Sequence, residues 1–285
     1  MKTNQNFKAH AKKQVRLLPS YILLAIWLVF TVVLIGWIVL ASVSTTEEIF
    51  SDNLLASGFH FENYLRVLEK HKMAVYFGNS LLYCIAGCIG IILIGAPAAY
   101  VLGRFHFPGK KLISNTFVTG LSIPIVMLVL PLYKMAVSTH LTGSRWVLIL
   151  LYICTNVPFA VYFLTGFFMS LPKALEEAAE IDGCTPTRAF WSIMFPLAQP
   201  GIVTLIIFNF INIWNEYFMA LIFANKTDLR TVSTGLQTIV QSMKYTGDWA
   251  GLFAGVMIVF LPTFLLYLFL SKKIIAGVTG GAVKE

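Results

Sequence analysis

The stretch Glu177-Ala178-Ala179-Glu180-Ile181-Asp182-Gly183 is followed, nine residues after the glycine, by Ile193-Met194-Phe195-Pro196. It stands in a polar connection between two long apolar runs. Four acids, an amphipathic turn and a proline are grouped here in a chain that is otherwise mostly apolar. Such a grouping has little purpose inside lipid, so it predicts a segment that docks on another protein.

The composition predicts an integral membrane protein. Of the 285 residues, 58% are hydrophobic and 12% are charged, and the mean hydropathy is +0.78. Ordinary soluble domains have roughly 45–50% apolar and about 25% charged residues. The net charge of +8 does not indicate a nucleic-acid partner, because the Lys and Arg residues are spread along the ends of apolar segments. The four cysteines and the five histidines lack the spacing of a disulfide framework or a metal site, so we expect the cysteines to be packing residues.

Charge-free stretches predict an all-α protein with six transmembrane helices, since about 20 residues cross a bilayer core. These stretches are 17–46, 73–103, 112–133, 146–172, 189–215 and 249–271. The first is longer than the apolar core of a signal peptide and is expected to remain as helix one. Pro196 and Pro200 favour a break before the fifth helix, which we expect to start near Pro200 and to continue through Glu216 to about Ala224.

The distribution of basic residues predicts that both termini are cytoplasmic. This orientation places 13 of the 21 Lys and Arg residues on the cytoplasmic side. The predicted organisation is an N-terminal tail (1–16), a permease domain (17–274) and a C-terminal tail (275–285). Within the domain, 170–196 becomes a cytoplasmic connection and 225–248 an extracytoplasmic loop. Residues 47–72 are expected to form short amphipathic helices on the outer face.

The cytoplasmic connection is expected to begin with a helix of about three turns. Ser170 is its predicted N-cap, with Pro172 in the first turn, and Gly183 is its predicted end. Thr185-Pro186 predicts the start of a second short helix that ends near Pro196. A helical projection separates an apolar, small-residue face from an acidic face. The first face holds Leu171, Ala174, Leu175, Ala178, Ala179 and Asp182, and the second holds Lys173, Glu176, Glu177 and Glu180.

Two interpretations of this helix are open. It is either a linker that lies on the membrane surface or a docking element for a soluble protein. Surface helices on anionic leaflets favour Lys and Arg on the polar face and bulky apolar anchors beneath. Here the polar face is acidic and the apolar face is rich in alanine, which favours docking.

The same stretch resembles the cytoplasmic motif of ABC importer permease subunits. Glu177, Ala178, Ala179, Gly183, Ile193 and Pro196 match that motif, and Phe195 stands where leucine is commoner. Three further segments resemble the second permease subunit of maltose-type carbohydrate importers. They are Asn-Ser-Leu-Leu at 79–82, Trp-Asn-Glu-Tyr at 214–217 and the tail at 275–284.

The resemblance implies the type I ABC importer permease architecture in the cell membrane and a role in sugar uptake, with an oligosaccharide as the expected substrate. It implies a coupling helix seated in a cytoplasmic ATPase dimer, which binds the ATP and magnesium. It also implies a second permease subunit, expected to be a different chain, and an extracytoplasmic sugar-binding protein that meets loop 225–248. Residues 277–285 are expected to reach the ATPase. The residues carried over as ATPase-coupling are Leu175, Glu177, Ala178, Ala179, Asp182 and Gly183.

The chain shows no ATP site of its own. The nearest approach to a phosphate loop runs from Gly103 to Gly109-Lys110, where five residues separate the glycines and Lys111 stands in place of Ser or Thr. We therefore expect a subunit that is not an enzyme, without catalytic residues, metal site or bound cofactor.

Polar residues in the fifth predicted helix suggest a substrate path. Asn209, Asn212, Asn215 and Glu216 are spaced three to four residues apart or adjacent, so they are expected to share one face. Asparagine offers both donors and acceptors to sugar hydroxyls. The alternative is that these side chains bond to neighbouring helices. Trp214 is either a sugar-stacking residue or an interfacial anchor.

Other classes of function are less well supported. A related importer for another solute is the main alternative. An ion-coupled carrier usually shows repeat halves and several ionisable groups in its spans, whereas only Glu216 is found here. An intramembrane hydrolase needs a nucleophile with a base, and no predicted span contains histidine.

Overall fold

The computed structural model describes the backbone of residues 2–51 and 53–282 and the side chains of residues 17–51 and 53–273. All regular elements in these ranges are helices. The chain divides into two compact units. Unit 1 comprises residues 1–67 and 242–257, and unit 2 comprises residues 68–241 and 258–285.

The helices are labelled in chain order. They are α1 (Lys2–Ser42), α2 (Thr46–Phe50), α3 (Glu62–Lys70), α4 (Met73–Arg104), α5 (Lys110–Leu121), α6 (Ile125–Ser138), α7 (Arg145–Ser170), α8 (Ala174–Ile181), α9 (Pro186–Leu197), α10 (Gln199–Asn215), α11 (Phe218–Phe223), α12 (Val232–Thr246) and α13 (Trp249–Ala282). Helix α9 contains a π-helical stretch at Phe190–Met194, and a 3₁₀ turn at Thr227–Leu229 precedes α12.

Among the described residues, four helices are long and apolar enough to span a membrane. They are Leu17–Ser42, Met73–Arg104, Arg145–Ser170 and Trp249–Lys273. Two bent pairs raise the number of candidate spans to six if each pair is one span. The α5–α6 pair is bent by 101° and the α9–α10 pair by 73°. The chain is therefore a helical membrane protein with four to six candidate spans.

Two predicted helices have different bounds in the structure. Segment 112–133 was expected to be one helix, but α5 ends at Leu121 and α6 starts after Pro124, whose ψ of 124° is extended. Proline disfavours helical geometry in the residue before it, which explains this break. The predicted break before Pro200 is confirmed, since α10 starts at Gln199. The continuation to Ala224 was wrong, because α10 ends at Asn215 and Glu216 is extended (ψ 129°).

The core of unit 2 is built on a close contact between α4 and α7. A Cβ atom placed on Gly90 would lie 2.3 Å from Ile153 Cδ1, and one on Gly95 would lie 2.9 Å from Ala160 Cβ. Small residues let two membrane helices approach this closely. Helix α10 packs on α4 as well, where Cys88 is buried and its thiol donates to a carbonyl of α10.

The cysteines only partly behave as predicted. Cys84 and Cys88 are buried packing residues, whereas Cys154 is exposed and Cys184 is half-buried, and all four are free.

Segment 47–72 was expected to form short helices, and it contains α2 and α3; α2 and residues 62–67 of α3 belong to unit 1. Thr45 and Glu48 cap α2 reciprocally in a capping box. Hydrogen bonds from Ser57 and from the Thr45 backbone N–H lower the pKa of Glu48 to about 2. Arg66 in α3 pairs with Asp248 at 3.0 Å. Segment 225–248 was expected to be a loop, but most of it forms α12.

Candidate functional site

Helix α8 carries the docking stretch, but it starts later than predicted. Ser170 is the last residue of α7, not the N-cap of α8, and α8 begins at Ala174. Leu171 is extended (ψ 143°) because it precedes Pro172. The helix is therefore eight residues long, about two turns instead of three.

The end of α8 is fixed as predicted by Gly183. Its φ of 75° lies in the left-handed region that glycine tolerates best. The Gly183 N–H donates to Glu180 O at 3.0 Å, and the Cys184 N–H donates to Ala179 O at 2.9 Å, which is the Schellman pattern. Thr185 then caps α9 by accepting from the Arg188 N–H at 3.3 Å. These bonds end α8 and start α9 within a few residues.

The exposed residues of α8 are Ala174, Glu177, Ala178, Glu180 and Ile181, and Asp182, which directly follows the helix, is exposed beside them. Ile181 is 87% exposed, although it is one of the two large apolar residues of the helix. The helical projection from sequence did not assign Ile181 to either face. The sequence feature that could have indicated its exposure is its position between two acids, Glu180 and Asp182.

The opposite side of α8 faces the rest of unit 2. Ala179 is 3% exposed, and Leu175 is half-buried. Glu176 was grouped with the acidic face, but it is turned inward and paired with Arg104 at the end of α4. Of the six residues predicted to couple to the ATPase, Leu175 and Ala179 lie on the inner side of α8. Glu177, Ala178 and Asp182 are exposed, and Gly183 ends the helix.

A second site is a cavity of about 410 Å³ inside unit 2. It lies between α7, α10 and the bend between α5 and α6. Its polar lining consists of Tyr152, Thr155, Asn156, Asn212 and Glu216. The remaining lining residues are mostly apolar, among them Leu128, Leu132 and Met219. A mostly apolar lining with a few polar groups is common in sites that bind small molecules.

Hydrogen bonds connect the polar residues of the cavity. Asn212 Nδ2 donates to Asn156 Oδ1 at 2.8 Å, and Asn156 Nδ2 donates to Tyr152 O at 2.8 Å. The Tyr152 hydroxyl donates to Glu216 Oε2 at 2.9 Å. The Glu216 carboxylate also accepts from the N–H groups of Met219 and Ala220. It thereby starts α11, which is the physical reason for the break after Asn215.

The structure brings two of the four predicted path residues to the cavity. Asn212 and Glu216 line it. Asn209 is 2% exposed and donates to Leu205 O within its own helix. Asn215 is exposed and donates to Ile211 O, also within its own helix.

Two neighbouring aromatic residues, Trp214 and Tyr152, differ from the sequence-based expectation. Trp214 is completely buried, and its Nε1 donates to Val259 O at 2.9 Å, so its ring is a packing element. Tyr152 was missed by sequence reasoning, although it lies one helical turn before Asn156 on the same face.

The predicted role of the C-terminal tail and the question of a metal site are separate from these two sites. The ATPase contact of residues 277–285 lies outside the residues whose side chains are described. Within the described part of the chain, no group of three or more His, Cys, Asp or Glu residues is placed to hold a metal ion.

Known proteins resemble this chain along most of its length. A family model described as the binding-protein-dependent transport system inner membrane component matches residues 72–274. The diacetylchitobiose uptake system permease protein NgcG of Streptomyces coelicolor is 34% identical, over 93% of this chain and 88% of that protein. The trehalose transport system permease protein SugB of Mycobacterium tuberculosis is 31% identical, over 90% of this chain and 97% of that protein.

A solved structure shows the same fold. It is a chain of a bacterial ABC transporter involved in the import of alginate, an acidic polysaccharide. The TM-score is 0.80 at 19% identity, and the match covers 91% of this chain and 96% of that chain.

Proposed function

This chain belongs to the family of binding-protein-dependent transport system inner membrane components, and we propose that it is one of two permease subunits of an ATP-driven importer of neutral oligosaccharides. The family assignment confirms the resemblance to ABC importer permeases, a class of multi-pass membrane proteins whose ATPase activity lies in a separate subunit. The finer assignments below are inferences from the two sites.

The observation that carries the coupling proposal is the exposed face of α8. It offers an isoleucine and two alanines beside Glu177 and Asp182. Lipid is a poor partner for this face, because anionic headgroups repel its acids. A soluble protein with basic side chains around an apolar socket fits it. In the proposed orientation, with six spans and both termini in the cytoplasm, that protein is the ATPase dimer.

The proposed motion follows from this placement. Binding of ATP closes the ATPase pair and moves α8, which rocks the spans around the cavity. An extracytoplasmic binding protein delivers the sugar to the cavity. A second, different permease chain completes the path on the other side.

The cavity supports a neutral saccharide as the substrate. Two amides and two hydroxyls among its lining residues match sugar hydroxyls as donors and acceptors. The one charged residue among the lining residues is Glu216, so an acidic sugar would meet like charge in a low-dielectric site. The relatives NgcG and SugB are named for the uptake of diacetylchitobiose and trehalose, both uncharged disaccharides.

The proposal is tested by uptake into proteoliposomes that hold the importer with its ATPase, second permease subunit and binding protein. Diacetylchitobiose, trehalose and an alginate oligomer are the probes. We expect uptake of an uncharged probe that requires ATP and falls several-fold in Asn212→Leu. Asn215→Leu is the matched control, because that amide is exposed and lies outside the cavity lining. Preference for alginate, or uptake by this chain alone without ATPase, would refute the proposal.

A further inference from the structure

The side chain of Arg104 joins three helices of unit 2. Arg104 is the last residue of α4, and its side chain is only 5% exposed. Its Nε donates to Glu176 Oε2 at 2.6 Å, and its Nη2 forms an ion pair with the same oxygen. Its Nη1 donates to Leu171 O at 2.9 Å and to Phe168 O at 3.4 Å. One guanidinium therefore connects the end of α4 with the end of α7 and with the first turn of α8.

Each of these contacts has a physical cause. The last carbonyl groups of a helix have no partner within it and carry the negative end of the helix dipole, so a cation there is stabilising. An acid in the first turn of the next helix is stabilised by the opposite end of its dipole. The planar fork of arginine serves both at once, whereas lysine offers a single point charge.

The surrounding packing makes this junction stiff. A Cβ atom on Gly103 would lie 3.3 Å from Thr165 O, so α4 and α7 are in close contact beside Arg104. In α9, which follows α8, the centroid of the Phe190 ring lies 5.0 Å from the centroid of the Tyr100 ring of α4. The connection that carries α8 is thus held to α4 by a charged contact in the first turn of α8 and by an aromatic contact after the helix.

We propose that Arg104 and Glu176 are a positioning pair that transmits movement of α8 to α4 and α7. This inference rests on the proposed docking of α8 on an ATPase. The two roles fall to adjacent acids. Glu177 lies on the exposed face and meets the partner, whereas Glu176 is turned inward and holds the helix against its own chain.

The test measures the sugar transported per ATP hydrolysed by the assembled importer in proteoliposomes. We expect Arg104→Met and Glu176→Gln to lower this ratio roughly tenfold, within the usual range of coupling between sites, while the ATPase still copurifies. The double variant is expected to be no worse than Arg104→Met, because Arg104→Met already breaks the pair that Glu176→Gln weakens. Arg188→Met is the matched control, since Arg188 is an exposed arginine of the same connection, and it should keep the normal ratio.

The results that would overturn the inference are distinct from those that would overturn the docking proposal. A normal ratio in assembled Arg104→Met would show that the pair does not transmit movement. If Arg104→Met does not assemble, Glu176→Gln decides, because it keeps an acceptor at a partly exposed position. Failure of Ile181→Cys to crosslink to the ATPase in an otherwise unaltered importer would instead refute docking itself.

Discussion

Replacing Glu216 by leucine removes three hydrogen bonds at one point of the cavity wall. Glu216 Oε1 accepts from the Met219 N–H at 2.7 Å, and Oε2 accepts from the Ala220 N–H at 3.0 Å and the Tyr152 hydroxyl at 2.9 Å. The Tyr152 bond joins two helices, and such bonds average about 0.6 kcal/mol; loss of a helix cap costs typically about 1 kcal/mol, which gives a loss of roughly 2 kcal/mol. Buried donors left without a partner cost about 1–3 kcal/mol each, which gives an upper range of roughly 3–9 kcal/mol.

Glutamine at the same position separates the hydrogen bonds from the charge. It keeps one carbonyl oxygen and so retains part of the helix start, but it removes the negative charge. We expect the apparent unfolding temperature of the purified importer, followed by loss of the monodisperse fraction after heating, to fall clearly in Glu216→Leu and less in Glu216→Gln. Asn215→Leu, one residue away and exposed, should change it little. Equal stability of the leucine and glutamine variants would refute the role of Glu216 as the cap of α11.

Three further predictions concern stability and pH. Gly95→Leu should lower the unfolding temperature by the equivalent of about 1–3 kcal/mol, because the larger side chain overpacks against α7. Gly78→Leu is the control and should have little effect, since no atom lies within 4 Å of its Cβ position. Equal effects would contradict the close contact of α4 and α7. Gly183→Ala should lower the free energy of unfolding by about 1–2 kcal/mol, because alanine disfavours the positive φ of this position. Gly166→Ala within α7 is the control and should show no such loss. A neutral effect of Gly183→Ala would argue against the Schellman end of α8. The pKa of Glu48 is lowered from 4.5 to about 2, so its contribution to stability is complete above about pH 4.5 and is lost as the pH falls toward 2. Protection factors of the amides at 45–51 and 53–58, which correct for the pH dependence of intrinsic exchange, should fall in that window, and a Glu48→Gln variant should not show this pH-dependent fall.

Local patterns in the sequence predicted the features that depend on neighbouring residues. Four of the six charge-free stretches correspond to single long helices, whereas 112–133 and 189–215 are each divided by a bend. Gly183 ends α8 because its left-handed conformation is a local requirement. The cap formed by Thr185 on α9 is likewise a local pattern. These features need no knowledge of the rest of the chain.

Features that depend on distant contacts were not predictable in the same way. The inward turn of Glu176 depends on Arg104, 72 residues away in sequence. The break at Glu216 depends partly on Tyr152, 64 residues away. A helical projection assigns residues to faces, but it does not show which face packs against the rest of the chain, so Leu175 and Ala179 were grouped with residues that are exposed.

The docking of α8 on an ATPase is tested most directly by crosslinking from its two sides. In the assembled importer with Cys154 and Cys184 replaced by serine, Ile181→Cys places a thiol on the exposed face, and Ala179→Cys places one on the buried side. The account predicts that Ile181→Cys crosslinks to the ATPase subunit, with a yield that changes when ATP is added, and that Ala179→Cys does not. Absence of a crosslink from Ile181→Cys while the ATPase is present in the complex would contradict it.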